Sequence, residues 1–425
     1  MGGDILGFLL KCKEEYGDVV QLELGGYETF LINDPAMIEQ VLVADARNFI
    51  KHTFFWRHVR KIFGSGLLTS EGDFWLRQRR LAQPAFHRER IAAYATTMTE
   101  NTERALSEWR DGDERELLRE FLDLTLRIVA KFLFDADVSR DVEEVGRAVD
   151  TSMREVAARF RRPFPISDII PVPGNLRYRR AVRRLDRLVE RFIAEHRRGE
   201  RSRPDLLSML MEARDEDGSA LSDKQLRDES ITLLLAGHET TAISLAWTWF
   251  LLAQNPDVAE KLGAELDNVL GDRSPTIDDV ARLPYTEAVI TESMRIYPPI
   301  YALGREPIED CVIGGYDVPA GATILMPQWV VHRDARWFDD PHECRPERWL
   351  DGLAQRLPRF AYFPFGGGPR GCIANRLAMI EMVLLLGVMA KRFRVELIGA
   401  ASEIVPVATI TVRPTPGVRV RLHAR

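Results

Sequence analysis

The residues best suited to chemistry in this 425-residue chain form a glycine-rich segment that ends in a cysteine. Three consecutive glycines at 366–368 precede Arg370 and Cys372, and an apolar run at 377–390 follows. A run of that length predicts a helix, so Cys372 lies where a loop turns into a helix. The helix dipole and the free N–H groups of the first turn favour a thiolate there. Such a thiolate is a suitable axial ligand for haem iron.

Two plainer interpretations compete with a ligand role. A cysteine is most often a small buried apolar residue, and we keep this interpretation for Cys12, Cys311 and Cys344. A glycine-rich loop can also bind phosphate, but the Gly-Lys-Ser/Thr sequence of nucleotide loops is missing here.

The spacing F-x-x-G-x-R-x-C that ends at Cys372 resembles the haem-binding loop of the cytochrome P450 family. The resemblance implies a haem b cofactor with Cys372 as its iron ligand. The other cofactor contacts that it implies in this loop are Phe365, Gly366, Arg370 and Ala374. Ala374 is a departure, because the family usually has glycine at that position, and we expect only a slight change in packing beneath the haem.

A second element with a possible cofactor role is the pair Trp75 and Arg79, which share one helix face at i and i+4. An indole N–H beside a guanidinium can hold a carboxylate, although a surface stacking contact gives the same pattern. The resemblance implies that this pair binds a haem propionate and that Arg305 binds one as well.

Residues 222–255 give the longest helical signal, apolar except for a polar break in the middle. His238 and Glu239 make a transmembrane helix costly, so we predict a helix buried in the protein core. The break resembles the oxygen-activating segment of the family, in which the acid and the alcohol relay protons. The catalytic residues implied there are Ala236, Gly237, Glu239 and Thr240, while His238 is interpreted as packing.

Glu292 and Arg295 lie at i and i+3 on one predicted helix face, and Arg348 follows later in the chain. The resemblance implies that these three form a buried ion triad, which we class as structural. The pocket residues that it implies are apolar or aromatic: Leu233, Ala236, Ile300, Tyr301, Leu303, Val407 and Ala408.

Composition sets the broad class of the protein. It is 45% apolar and 29% charged with a net charge of −6, which does not indicate a general nucleic-acid surface. Four unpatterned cysteines favour a reducing compartment, hence the cytoplasm. Without a linker or repeat, we expect one domain over 1–425, with a short N-terminal segment 1–15 that is neither a signal peptide nor a membrane anchor.

The implied fold is the mainly α cytochrome P450 fold with a small β region. We predict a helix over 5–16, a strand pair over 19–32, and a second helix to about residue 49. Residues 51–70 read as irregular, and a final hairpin joins 407–414 to 418–422.

The resemblance predicts a monooxygenase that inserts one atom of dioxygen into a C–H or C=C bond. The substrate is expected to be a hydrophobic small molecule such as a terpenoid, fatty acid or macrolide. Electrons would come from NAD(P)H through a separate ferredoxin or flavodoxin with its reductase, and the enzyme is expected to be a monomer. Two alternatives stay open: a peroxide-driven peroxygenase, although Glu239-Thr240 stands where such members carry Arg-Pro, and a non-enzymatic haem sensor or binding protein.

Overall fold

The computed structural model describes residues 4–24, 26–136, 142–160, 170–199, 205–215 and 218–425. Over these residues the chain is mainly α-helical with small β-sheets, which confirms the predicted fold class. The helices are α1 Ile5–Tyr16, α2 Pro35–Glu39, α3 Phe54–Phe63, α4 Gly72–Ala82, α5 Arg88–Leu106, α6 Leu117–Phe134, α7 Val142–Phe160, α8 Pro173–Arg197, α9 Leu206–Glu212, α10 Asp223–Gln254, α11 Pro256–Leu270, α12 Pro284–Ile296, α13 Gln328–Val331, α14 Glu347–Leu350, α15 Leu353–Arg356 and α16 Asn375–Arg392. The strands are β1 Val19–Leu24, β2 Tyr27–Ile32, β3 Phe49–Ile50, β4 Glu114–Glu116, β5 Leu303–Pro307, β6 Cys311–Ile313, β7 Tyr316–Val318, β8 Thr323–Met326, β9 Phe393–Leu397, β10 Val405–Ala408, β11 Val412–Thr415 and β12 Arg419–Ala424.

The chain divides into two compact units. The first unit comprises Met1–Thr53, Met98–Phe121 and Thr240–Arg425, and the second comprises Phe54–Thr97 and Leu122–Glu239. The boundary after Glu239 falls inside α10. The single domain expected from the sequence stays a prediction.

The first unit contains a five-stranded sheet in the order β1-β2-β8-β5-β3. β2 and β8 are parallel, whereas the other neighbours are antiparallel. One side of this sheet packs on a buried cluster that includes Leu42, Phe360 and Phe363. This cluster connects the sheet to the start of the cysteine-bearing segment.

α10 and α16 are core helices. Residues 241–251 of α10 are all buried, as are residues 380–390 of α16, so these stretches of the two helices are covered on every side. Among the described residues, the helices lack the combination of length and apolar character needed to cross a membrane.

The N-terminal region differs from the prediction in two places. The expected second helix ends at Glu39 and continues as a π-helical turn, Gln40–Ala44, and a 3₁₀ turn, Ala46–Asn48. The π turn brings buried Leu42 against the cysteine-bearing segment, and that packing explains the departure from a regular helix. Residues predicted as irregular contain α3, whose aromatic and basic residues obscure a helical period.

The predicted C-terminal hairpin is also wrong in its pairing. β10 pairs with β11, so the hairpin lies within 405–415. β12 instead lies between β4 and β9, each antiparallel to it. Only three residues separate β10 from β11, which is enough for a local hairpin and leaves β12 free to pair elsewhere.

Candidate functional site

The cysteine loop, residues 363–374, leads directly into α16. The Cys372 N–H donates to the carbonyl of Phe365 at 2.9 Å, and the Gly366 N–H donates to the carbonyl of Phe363 at 2.9 Å. These bonds fold the loop back on itself and leave the Cys372 side chain exposed. α16 begins three residues later, and its N-cap, Ala374, offers no side-chain acceptor. Cys372 therefore lies at the positive end of a helix, as the sequence predicts.

The glycines of this loop are explained by packing against the N-terminal region. A Cβ on Gly368 would lie 1.8 Å from the carbonyl oxygen of Leu42, and Gly368 also has a φ of 65°. A Cβ on Gly367 would lie 2.2 Å from the ring of Phe360. Side chains at these positions would lift the loop from its support. The sequence does not reveal Leu42 as the partner, because 326 residues separate it from Gly368.

The predicted ion triad is present in the first unit. The Glu292 carboxylate accepts two bonds from Arg295, at 2.8 and 2.9 Å, and one from Arg348 Nε at 3.1 Å. It also accepts the Trp349 indole N–H at 2.9 Å and the Arg345 backbone N–H at 3.0 Å. Glu292 and Arg295 are completely buried. Five donors on one carboxylate make this a fully satisfied buried centre.

A histidine that the sequence analysis missed connects the triad to the cysteine loop. Arg295 Nη1 donates to the carbonyl of His332 at 3.0 Å, and the Phe363 N–H donates to His332 Nε2 at 2.9 Å. Burial, with the nearby charges of Arg333 and Arg295, lowers the pKa of His332 well below its ordinary value. The ring is therefore neutral and Nε2 is able to accept. Gln328 holds the other side of Phe363, donating to its carbonyl at 3.3 Å.

α10 is one continuous α-helix through its polar centre. The polar residues in the middle therefore interrupt the apolar sequence but not the helix. Leu235, His238 and Glu239 are buried, whereas Ala236 is exposed. Thr240 is half-buried. Its carbonyl accepts a hydrogen bond from the hydroxyl of Ser244 at 2.9 Å. One face of a buried helix is therefore open at Ala236.

Gly237 and His238 have packing roles against α6 in the second unit. A Cβ on Gly237 would lie 3.1 Å from Val129, so glycine permits a close helix approach. His238 Nε2 lies 2.9 Å from the carbonyl of Leu122, and the Thr125 hydroxyl donates to the carbonyl of His238 at 2.9 Å. The packing interpretation of His238 agrees with these contacts.

Packing contacts place three of the predicted pocket residues of the first unit. Leu303 packs on the cluster that includes Phe363 of the cysteine loop. Tyr301 and Ala408 pack on one small cluster with Trp329 and Val412. Ile300 and Val407 are half-buried, and in the second unit Leu233 is buried.

Trp247 of α10 fixes the hairpin end that carries Ala408. Its indole N–H donates to the carbonyl of Val412 at 2.9 Å, and its ring stacks on Tyr297 at 3.8 Å. The Val412 N–H donates to the carbonyl of Pro299 at 3.0 Å. The sequence gives no signal for this arrangement, because a tryptophan in an apolar helix predicts only burial.

The predicted propionate-binding residues belong to different units. In the second unit Trp75 and Arg79 lie one turn apart on α4, both half-buried. In the first unit Arg305 is buried on β5, where its Nη1 donates to the carbonyl of Gly304 at 2.8 Å. Arg370 of the cysteine loop is half-buried.

Comparison with known proteins gives matches across nearly the whole chain. The sequence profile described as Cytochrome P450 matches residues 2–420. Cyclooctatin synthase of Streptomyces melanosporofaciens is 36% identical over 409 residues, which cover 96% of this chain and 85% of that protein. Pentalenene oxygenase of Streptomyces avermitilis is 35% identical over 411 residues, covering 96% and 91%. The crystal structure of the cytochrome P450DA heme domain is similar with a TM-score of 0.89 and 26% identity, covering 99% of this chain and 93% of that one.

Proposed function

The chain belongs to the cytochrome P450 family and is a monooxygenase, and from this premise we propose that it oxidises a terpenoid at a C–H or C=C bond. Support for the substrate class comes from the relatives named for cyclooctatin and pentalenene. The apolar character of Leu233, Ile300 and Leu303 is consistent with a hydrocarbon substrate. Tight binding of fatty acids or macrolides in place of terpenoids would contradict this part of the proposal.

The proposed cofactor is haem b, whose iron Cys372 would bind, and two observations support the fit. Cys372 is exposed at the N-terminal end of a helix, although its loop is anchored on buried Phe363. Ala236 is exposed in the middle of α10, between the buried residues 231–235 and the buried pair His238 and Glu239. A thiolate and an open helix face suit a flat apolar macrocycle. The residues proposed to contact it in addition are Trp75, Arg79, Arg305, Phe365, Gly366, Arg370 and Ala374.

The haem iron would supply dioxygen binding and oxygen-atom transfer, while the protein supplies protons and shape. Glu239 is a buried carboxyl group and Thr240 the adjacent hydroxyl on α10. We assign Glu239 to proton uptake and the Thr240 hydroxyl to holding the proton near the open face at Ala236 and Gly237. Glu292, Arg295 and Arg348 keep their structural role, supporting the cysteine loop through His332.

The sulfur ligand is tested optically. The reduced carbon monoxide complex should absorb at the long-wavelength position that is specific to a thiolate ligand, and Cys372→Ser should lose that band. Cys344→Ser is the matched control, since burial raises the pKa of this thiol to about 12 and keeps it protonated. A thiolate band that survives in Cys372→Ser would refute the assignment.

Electrons are proposed to come from NAD(P)H through a separate ferredoxin or flavodoxin with its reductase. NAD(P)H is a cytoplasmic reductant, so the proposal also places the enzyme in the cytoplasm. Retention of the acid and alcohol at Glu239 and Thr240 favours this route over peroxide. Product formation that is faster with hydrogen peroxide than with NAD(P)H and a ferredoxin pair would favour a peroxygenase.

A further inference from the structure

The 64–70 loop joins α3 to α4 in the second unit and is held by two consecutive carboxylates of α10. The Ser65 N–H donates to Asp228 Oδ2 at 2.9 Å, and the Leu67 N–H donates to Glu229 Oε2 at 3.0 Å. Asp228 and Glu229 are 2% and 1% exposed. Two buried acidic side chains thus bind alternate residues of one short loop.

The contact is too close for side chains on the loop glycines. A Cβ on Gly64 would lie 2.2 Å from Asp228 Oδ1, and Gly64 has a φ of 66°. A Cβ on Gly66 would lie 2.3 Å from the hydroxyl oxygen of Thr232. The loop therefore lies directly on α10, and its position follows the positions of these side chains.

The two carboxylates differ in their electrostatic surroundings. Asp228 is paired with Arg227 at 2.6 Å and Lys224 at 2.8 Å. Glu229 has no ion pair among the described residues, and its Oε1 has no hydrogen-bond partner there. Burial raises the pKa of Glu229 to about 7, and the charge of Asp228 adds to the shift. A buried carboxyl group that has no cation beside it lowers the stability of the folded protein. Glu229 is therefore not explained by a contribution to stability.

The loop lies one helical turn from the open face of α10. Thr232, which touches Gly66, is followed by Leu233, and Ala236 is exposed one turn further on. Leu67 is buried and Leu68 half-buried on the loop. Side chains on this loop are therefore near the part of α10 that would face a substrate.

We propose that Asp228 and Glu229 are positioning residues that fix the 64–70 loop as one wall of the substrate pocket, and that Glu229 thereby determines how closely bulky apolar ligands are held. The inference rests on the proposed function, since it requires a substrate pocket over the haem. Neither carboxylate acts on the reacting atoms. Each binds a backbone N–H, and the loop carries the effect through Leu67 and Leu68.

The test uses two azole probes of different size on the ferric holoenzyme. Imidazole needs the iron alone, whereas phenylimidazole also needs an ordered wall against its ring. In Glu229→Leu, the buried Leu67 N–H loses its acceptor, so the Kd for phenylimidazole from the Soret shift should rise about tenfold. The Kd for imidazole should stay within about twofold, and Glu229→Gln, whose carbonyl still accepts the N–H, should restore phenylimidazole binding.

Amide hydrogen exchange supplies a readout that is independent of haem. Peptides covering residues 64–70 should exchange faster in Glu229→Leu than in wild type and Glu229→Gln. Thr248→Val is the matched control on α10, because it removes a buried hydroxyl bonded at 2.7 Å to the Ser244 carbonyl. That control should alter neither azole affinity nor exchange at 64–70.

The outcomes separate the two proposals. An unchanged ratio of phenylimidazole to imidazole affinity in Glu229→Leu, or a proportional loss for both probes, would overturn the positioning role alone. If wild-type protein gave no Soret shift with imidazole, the haem-thiolate function itself would fail. In that case the exchange experiment would still decide whether Glu229 holds the loop.

Discussion

The cysteine loop and the 64–70 loop are both held by buried carboxylates, but in opposite electrostatic settings. Glu292 has five donors, three of them from the guanidinium groups of Arg295 and Arg348, and supports the cysteine loop through a neutral His332. Glu229 has one backbone donor and no ion pair among the described residues. Glu292 therefore has its charge compensated by two guanidinium groups, whereas Glu229 has no compensating cation among the described residues.

The largest expected effect concerns Glu292, the charge-compensated carboxylate. Glu292→Gln removes the charge that compensates Arg295 and Arg348, so the free energy of unfolding should fall by about 3–5 kcal/mol. Thermal unfolding and the fraction of protein that retains haem measure this change. Glu347→Gln, at an exposed pair with Lys261, is the control and should have a much smaller effect. Equal losses of unfolding free energy in Glu292→Gln and Glu347→Gln would contradict the structural role of the Glu292 charge.

The second prediction concerns Glu229, the carboxylate without a cation, and its pH dependence. Glu229 has its pKa raised from 4.5 to about 7, so the folded protein keeps a proton that the unfolded chain releases within that window. Stability should therefore decrease as pH rises from about 4.5 to about 7, by up to about 3 kcal/mol, and then level off. Glu229→Gln should lack this component.

The difference between wild type and Glu229→Gln, measured as unfolding midpoints at pH 5 and pH 8, isolates the effect. Burial also raises the pKa of Glu381 to about 8, and its contribution is common to both proteins. Asp228, Arg227 and Lys224 are the charged neighbours, and all three are retained. A difference that is independent of pH would show that Glu229 is not protonated on folding.

The smallest effect sharpens the contrast between the two adjacent carboxylates. Lys224 has a side chain 76% exposed, and Asp228 also pairs with Arg227. Lys224→Met should therefore cost less than about 1 kcal/mol, because water and salt screen an exposed charge. Chemical denaturation at low and high salt measures it. A loss comparable with that of Glu292→Gln would mean that Asp228 lacks sufficient compensation from Arg227.

The resemblance to the cytochrome P450 family implied the fold, and periodicity and local spacing predicted individual elements within it. The length of α10, the helix after Cys372 and the pairing of Glu292 with Arg295 depend on residues close in the chain. The partners of those elements were not predictable in the same way. His332, Leu42 and Trp247 act through backbone groups or packing with residues far along the chain, and such contacts leave no local pattern.

The wrong pairing predicted for the C-terminal hairpin also comes from contacts between residues that are far apart in the chain. Residues 407–414 and 418–422 both read as strands, and alternation alone does not specify which strand pairs with which. β12 pairs with β9 and with β4, a strand of three residues some 300 positions earlier. Strand existence was predictable from composition, whereas strand order depended on the assembled unit.

The contact between Gly368 and the Leu42 carbonyl has a consequence for exchanging segments between relatives. The turn at Gln40–Ala44 places the Leu42 carbonyl directly against Gly368 of the cysteine loop. A chimera that adds or removes one residue in this turn would move the cysteine loop, and Cys372 with it, without changing any residue near the sulfur. A single crossover therefore belongs before Pro35 or after Ala374, so that the turn and the cysteine loop come from one parent.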